Sequence, residues 1–318
     1  MAVLVGDIGG TNTRLAIYEH NQMVHRASFL NADIASFDEC LSQFLNTNSV
    51  VIDAATFGAA GPLARGRVEM TNLNWSLNER DLVNRLGVPV QLLNDFHIQA
   101  LGTIGLTEQD YESIGDVRVD TPHQIAVIGA GTGLGEAFLT LTDAGWIVVP
   151  GEGGHKRFAP KNEREVELLR QLWVRFPEHV SVERVVSGPG VVNVFTALGG
   201  PDFKKRGDRD PARTITEQAL AESCELSVET LAIFVDTLAD EAANLALQNR
   251  SDCVYISGGI PPRILPIVRA RFREAFEAKG RYRKFLTQVE VRIVERDDMA
   301  LEGAAYAAER LVFEGLAT

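Results

Sequence analysis

Cysteine is scarce and scattered: Cys40, Cys224 and Cys253 are the only three, and no two form a CxxC pair. A zinc cluster, a disulfide framework and a redox couple are thereby excluded, and a reducing, cytoplasmic setting is expected. Basic charge is also short, with 31 Lys and Arg against 43 Asp and Glu and a formal net charge of −12. Such a surface repels nucleic acid and anionic membrane, so neither is expected as a partner. The chain has no Gly-Lys dipeptide, so a Walker A phosphate loop is absent. No apolar run approaches the roughly 20 residues of a membrane span, and the first residues read as a strand rather than as a basic, apolar leader. No low-complexity tract or linker divides the chain.

What is present has the balance of an ordinary globular enzyme, 45% hydrophobic and 23% charged. At 318 residues the chain exceeds the size at which one core usually splits, so two lobes are expected. Net acidity does not exclude a nucleotide, because Mg²⁺ and backbone N–H groups attract phosphates locally.

Hydrophobic period and punctuation give the organisation. The apolar run 3–5 enters Gly6-Asp7-Ile8-Gly9-Gly10-Thr11-Asn12-Thr13-Arg14 and re-emerges as Leu15-Ala16-Ile17-Tyr18: strand, glycine turn, strand. The same plan returns at 125–128, through Gly129-Ala130-Gly131-Thr132-Gly133-Leu134-Gly135, into 137–141. Each lobe is thus expected to begin with a glycine hairpin. Between them lie a β-rich run at 51–57, a break at 58–62 and a strand at 90–93 that delivers Asn94-Asp95. Further on, Val166, Leu169, Trp173 and Phe176 are spaced as one helical face, 226–249 reads as a long helix, and a strand at 253–256 enters Ser257-Gly258-Gly259-Ile260. The mixed run 199–211 reads as an exposed loop without a catalytic role, and 300–313 as a helix returning to the first lobe. An α/β architecture follows.

Several of these segments carry chemistry. Asp7-Ile8-Gly9-Gly10-Thr11-Asn12 joins approachable backbone, hydroxyl and amide donors, and a carboxylate suited to hydrated Mg²⁺; a plain tight hairpin uses the same letters. Gly129 to Gly135 fails the G-x-G-x-x-G pattern, since Leu134 stands where the third glycine belongs. It also leads into Glu136-Ala137-Phe138-Leu139, a β-like run rather than a helix, which disfavours a dinucleotide fold. Asp95 ends a strand and starts a helix, so it is either a helix cap or a ligand-facing acid at the carboxyl end of a sheet. Gly151-Glu152-Gly153-Gly154-His155 places a Glu and a His on a turn that bends closely round a small ligand. Glu183, in Ser181-Val182-Glu183-Arg184, carries less signal, since a surface helix supplies the same letters.

Taken in order, Val5 to Asn12, Leu93-Asn94-Asp95-Phe96, Gly129 to Gly135, the 151–155 turn, Ser187-Gly188-Pro189-Gly190 and Ser257-Gly258-Gly259-Ile260 resemble the bacterial ATP-dependent glucokinase family, part of the hexokinase and actin-like ATPase superfamily. The resemblance runs from residue 3 to about residue 263, and six motifs in one order make it specific. It implies a two-lobed actin-like ATPase (ribonuclease H-like) α/β fold with an interlobe active-site cleft. The small lobe would take 1–108 and 299–318, and the large lobe 109–298. It also implies ATP with Mg²⁺, glucose as substrate, and a homodimer. Residue by residue, Asp7, Gly9, Gly10, Thr11 and Asn12, with Gly131, Thr132 and Gly133, would face the phosphates, Asp7 reaching Mg²⁺ through water. Gly258 and Gly259 would border the adenosine. Asn94, Asp95, Glu152, His155 and Glu183 would ring the sugar, with Asp95 as catalytic base. The segment Leu301-Glu302-Gly303-Ala304-Ala305 departs from the family by placing a charge in a stretch that is usually small and apolar.

Two alternatives stay open. A kinase for mannose, fructose or an amino sugar keeps the fold and changes the acceptor, since buried donors set the choice of hexose and sequence does not give their directions. A sugar-sensing regulator without turnover would need a DNA-binding module, for which a first strand beginning by Val3 is expected to leave no room.

Overall fold

The computed structural model describes residues 1–48, 50–70, 73–201, 203 and 210–316. The first elements are β1 (Ala2–Ile8), β2 (Asn12–Glu19), β3 (Gln22–Leu30), α1 (Phe37–Asn46), β4 (Ala54–Ala59), β5 (Leu63–Ala64), β6 (Arg67–Glu69) and β7 (Ser76–Asn78). They continue with α2 (Glu79–Leu86), β8 (Val90–Asn94), α3 (Asp95–Gly102), β9 (Tyr111–Ser113), β10 (Gln124–Ala130), β11 (Leu134–Thr142) and β12 (Gly145–Gly151). After these come α4 (Glu163–Arg175), α5 (Gly188–Ala197), α6 (Pro211–Leu220), α7 (Glu225–Asn249), β13 (Cys253–Ser257), α8 (Leu265–Glu277), α9 (Arg283–Leu286), β14 (Glu290–Val294) and α10 (Met299–Leu316). The chain divides into two compact units: 1–107 with 148–150 and 296–318, and 108–147 with 151–295.

The first unit is built on a sheet of order β3-β2-β1-β4-β8. Its central strand β1 is apolar on both faces, as a strand covered on both sides must be. Alternation sends Leu4 and Ile8 to one side, among Leu15, Phe37, Phe44, Phe57 and Leu92. Val3 and Val5 go to the other, among Ile98, Leu101, Leu301 and Ala304. That second layer consists of α3 and α10, and glycine permits their close contact. A Cβ on Gly303 would lie 1.8 Å from the Ile98 carbonyl oxygen, and one on Gly102 would lie 2.0 Å from that of Met299. Gly303 therefore serves the packing, while Glu302 turns its carboxylate to Arg296; the charge in this stretch does not enter the helix contact. The expected break at 58–62 begins later than the sequence implies. Gly58 lies within β4, and the reason for glycine is space, since a Cβ there would stand 2.2 Å from Ile98 Cδ1.

The second unit carries a sheet of order β12-β11-β10-β13-β14-β9, with α7 through its core by way of Leu231, Phe234, Leu238, Ala242 and Leu245. Two sequence expectations are corrected here. The fully buried residues of α4 are Glu165, Leu168 and Leu172; of the expected face, Leu169 and Phe176 pack part-buried against the core and Trp173 is exposed. Apolar spacing alone set the stripe off its centre, because the Glu165 carboxylate is turned inward to the Lys161 N–H at 2.8 Å. In the run 199–211, Phe203 is buried against Phe195, and Pro211 opens α6 behind the N-cap Asp210. Residues 202 and 204–209 of that loop lie outside the described residues. No helix among the described residues is long and apolar enough to cross a membrane.

Candidate active site

In the first unit, backbone register brings two motifs to one edge of the sheet. β1 pairs in parallel with β4, and β4 with β8, so that Ile8, Ala59 and Asn94 stand in one row at the strands' carboxyl ends. With neighbouring strands about 4.8 Å apart, Asn94 is two strand spacings from the hairpin that begins at Gly9. The hairpin closes through Gly9 N–H to the Asn12 carbonyl at 3.0 Å. Thr11 and Asn12 are exposed at its tip.

Asn31 staples this hairpin from outside: its amide donates to the Gly9 carbonyl at 2.8 Å, its Oδ1 accepts from Thr13 Oγ1 at 2.8 Å, and its N–H donates to the Thr11 carbonyl. Sequence reasoning missed this residue, because an Asn at the end of a strand looks like any turn former. Asp7 pairs across strands with Arg14 at 3.3 Å. Burial pushes its carboxyl above the usual value, against the pull of Arg14. A fifth of its side chain remains exposed.

Of the two roles open for Asp95, the helix cap falls to its neighbour. Asn94 is the N-cap of α3, its Oδ1 accepting from Phe96 N–H at 2.9 Å and His97 N–H at 3.3 Å. Asp95 is the first residue inside the helix, part-exposed, with its Oδ1 accepting from Phe96 N–H. Capping is thus carried by its neighbour, and the helix N-terminus favours a carboxylate at this position. Two residues further, burial lowers the basicity of His97.

In the second unit the remaining motifs meet at the β10–β11 hairpin. Its turn is closed by Gly131 N–H to the Gly133 carbonyl, and Gly188 N–H donates to the Gly131 carbonyl at 2.8 Å. That contact ties the turn to the start of α5, which Ser187 caps through its Oγ. Glu183 Oε2 accepts from Leu134 N–H at 2.9 Å and stands 2.7 Å from where a Cβ on Gly133 would be, so a side chain at 133 would make the Glu183 carboxylate shift. Parallel pairing puts Ser257 beside Gly129. Gly258 follows at φ +91°, with a Cβ position only 2.3 Å from the Ala130 carbonyl oxygen; both observations require glycine. At Gly131 and Gly259, by contrast, an added Cβ would meet nothing within 4 Å. Thr132 is exposed between them in sequence.

The 151–155 turn lies beside the same hairpin, with Gly154 against the Leu134 carbonyl. Glu152 and His155 are both exposed and approach to 3.9 Å. The His155 carbonyl accepts from His179 Nε2 at 2.7 Å. Below the turn, Lys156 pairs with Glu136 and Glu241, a cluster that no motif announced. Among the described residues no three His, Cys, Asp or Glu side chains converge as a metal site.

These two groups of residues can hold phosphates by backbone donors and a polyhydroxyl ligand by carboxylate, amide and imidazole. A sequence model of the glucokinase family matches residues 4–311. The glucokinase of Yersinia enterocolitica is 37% identical over 314 residues, 97% of each chain. Among solved structures, a glucokinase from an Antarctic psychrotroph superposes with a TM-score of 0.84 at 31% identity, covering 97% of this chain and 99% of that one. A ROK family glucokinase from Streptomyces griseus, solved with glucose and AMPPNP, shares the fold at a TM-score of 0.69 and 18% identity, covering 98% and 100%. The chain belongs to the glucokinase family.

Proposed function

We propose that this protein is a glucokinase, transferring the γ-phosphoryl group of ATP to the 6-hydroxyl of glucose to give glucose 6-phosphate and ADP. Family membership over 4–311 supports the activity. The observation that carries the chemistry is the pair Asn94-Asp95: the Asn caps the helix, which leaves the acid at a strand end, in register with the glycine hairpin. Asp95 orients the sugar hydroxyl and takes its proton as the new bond forms. The loose transition state of phosphoryl transfer asks little more of a base.

Asn94, Glu152, His155 and Glu183 bind the sugar's other hydroxyls. Backbone donors at Gly10, Thr11 and Asn12 and at Thr132 and Gly133 meet the phosphates, with Gly9 and Gly131 alongside, their own N–H groups closing the two turns, while Gly258 and Gly259 lie along the nucleoside. The open space at Gly131 and Gly259 suits close approach of a ligand to the backbone. The resemblance implies an actin-like ATPase fold, with a small lobe at 1–108 and 299–318 and a large lobe at 109–298. Asp7, part-exposed beside the first glycine turn, suits Mg²⁺ held through water, since that ion keeps most of its hydration and takes phosphate oxygens. Bound there, Mg²⁺ would supply neutralising charge for the phosphates. A cytoplasmic homodimer fits the scarcity of cysteine and the family.

ADP release by the purified protein with MgATP, offered glucose, mannose, fructose and an amino sugar in parallel, tests the assignment. Glucose is expected to give the highest kcat/KM. A higher value for another hexose would move the acceptor, and no ADP with any sugar would overturn kinase function.

A further inference from the structure

An ionic cluster in the second unit lies directly under the 151–155 turn and has no part in the chemistry above. Glu136, on β11, is 3% exposed, and its Oε1 has no hydrogen-bond partner. Its Oε2 lies 3.3 Å from Lys156 Nζ, and the same ammonium pairs with Glu241 of α7, which is also buried. The carboxylate of Glu136 is seated on the turn itself, since a Cβ on Gly153 would fall 1.6 Å from Oε2. Lys156 follows His155 in the chain, and its carbonyl accepts from Val182 N–H at 2.8 Å, one residue before Glu183. One cation therefore joins the sheet, the central helix and the two segments that carry Glu152, His155 and Glu183.

The surrounding charges leave this cation decisive. Asp240 is matched by Lys279 at 2.8 Å, and Asn244 bonds both Lys279 and Glu241. Arg157 lines the adjoining cavity of about 120 Å³ with Thr237, Asp240 and Gln248. Above it the turn carries Glu152 and His155, with His179 on the His155 carbonyl. Glu136 and Glu241 together bring two buried negative charges to one part-exposed ammonium, a net charge of −1.

We infer that Lys156 is a positioning residue for the sugar site, its ion pairs to Glu136 and Glu241 holding the 151–155 turn against β11 and α7. This rests on Glu152 and His155 facing the sugar. Without the ammonium, two carboxylates repel beneath Gly153, and a glycine turn is the element most easily displaced. Burial, and after it the charge of Glu241, pushes the Glu136 carboxyl up to about 7, with Lys156 opposing. A proton therefore takes over part of the cation's role as pH falls. Burial pulls the Lys156 ammonium down, but its two carboxylate partners more than offset this and raise it.

Steady-state kinetics of Lys156→Met decide the matter. At pH 8 the KM for glucose should rise about tenfold relative to wild type, with kcat and the KM for ATP within about twofold, the pattern of lost uniform binding. The ratio to wild type should shrink at pH 6. The double variant Lys156→Met/Glu136→Gln restores the cluster's net charge and should bring the glucose KM back to within about threefold of wild type. An unchanged glucose KM in Lys156→Met, a fall in kcat alone, or a double variant no better than the single one would overturn the inference.

Should Lys156→Met not accumulate as folded protein, Lys156→Arg decides: a glucose KM raised about threefold at constant kcat supports positioning, and a wild-type KM overturns it. His155→Ala runs in parallel. If it leaves the glucose KM unchanged, the sugar-facing assignment of the turn fails and the inference with it. If it raises KM while Lys156→Met does not, the inference fails alone.

Discussion

Asp95→Asn separates a catalytic acid from a structural one, because the two roles differ in size. The structural part is small: Asn94 supplies the cap, and an Asn at 95 keeps an Oδ1 for the Phe96 N–H now bonded at 2.9 Å. What is lost is a negative charge in the first turn of α3, worth about 0.3–1 kcal/mol, so the melting temperature should fall by no more than about 4 °C. The catalytic part is large, since removing a general base lowers turnover by roughly 10²-fold or more, a barrier increase of about 2.7 kcal/mol. Coupled ADP-release assays at saturating glucose and MgATP, beside thermal melts of the same preparation, measure both. The expected result is a kcat down at least about a hundredfold in a protein that melts nearly as wild type, with glucose KM changed by less than about threefold. A kcat within about fivefold of wild type would refute the assignment of Asp95 as base. So would a loss of activity that merely follows a loss of folded protein.

Gly131→Ala should leave the melting temperature unchanged, since an added Cβ meets nothing within 4 Å and φ is not left-handed there; the KM for ATP should nevertheless rise severalfold as the methyl group obstructs the phosphates, and an unchanged KM would place the nucleotide elsewhere. Gly303→Ala should destabilise strongly in denaturant titration, because its Cβ would sit 1.8 Å from the backbone oxygen of Ile98. Overpacking of about 3 kcal/mol outweighs the ~1 kcal/mol that alanine gains in helix propensity, and wild-type stability would contradict the close crossing of α3 and α10. Glu136 makes stability depend on pH: its folded value is raised to about 7 from an ordinary value of 4.5, so the folded state binds the extra proton between these limits. Its contribution is present in full below about pH 4.5 and is lost as pH rises through 7, by up to about 3 kcal/mol. The difference in unfolding free energy between wild type and Glu136→Gln, measured from pH 5 to 8, should follow that curve; a flat difference would show that the carboxyl titrates normally.

The sequence by itself determined the strand–turn–strand units, the long helix α7 and the motif order. These are local: alternation of side chains in Val3, Leu4 and Val5, glycine at a sharp reversal, and a capping Asn before Asp95 act over a few residues, and the chain's own chemistry states them. It also argued against a cysteine-clustered zinc site, a Walker A loop and a dinucleotide fold, because those need particular residues at particular spacings that are not there. Only the tertiary structure decided which side of α4 is buried, that Gly58 serves Ile98 and not a chain break, and that Asn31 holds the first glycine turn. The same holds for Lys156, whose partners lie 20 and 85 residues away in sequence. Burial and ion pairing are properties of what surrounds a side chain, and those surroundings come from segments that meet only after the sheet and helices have packed.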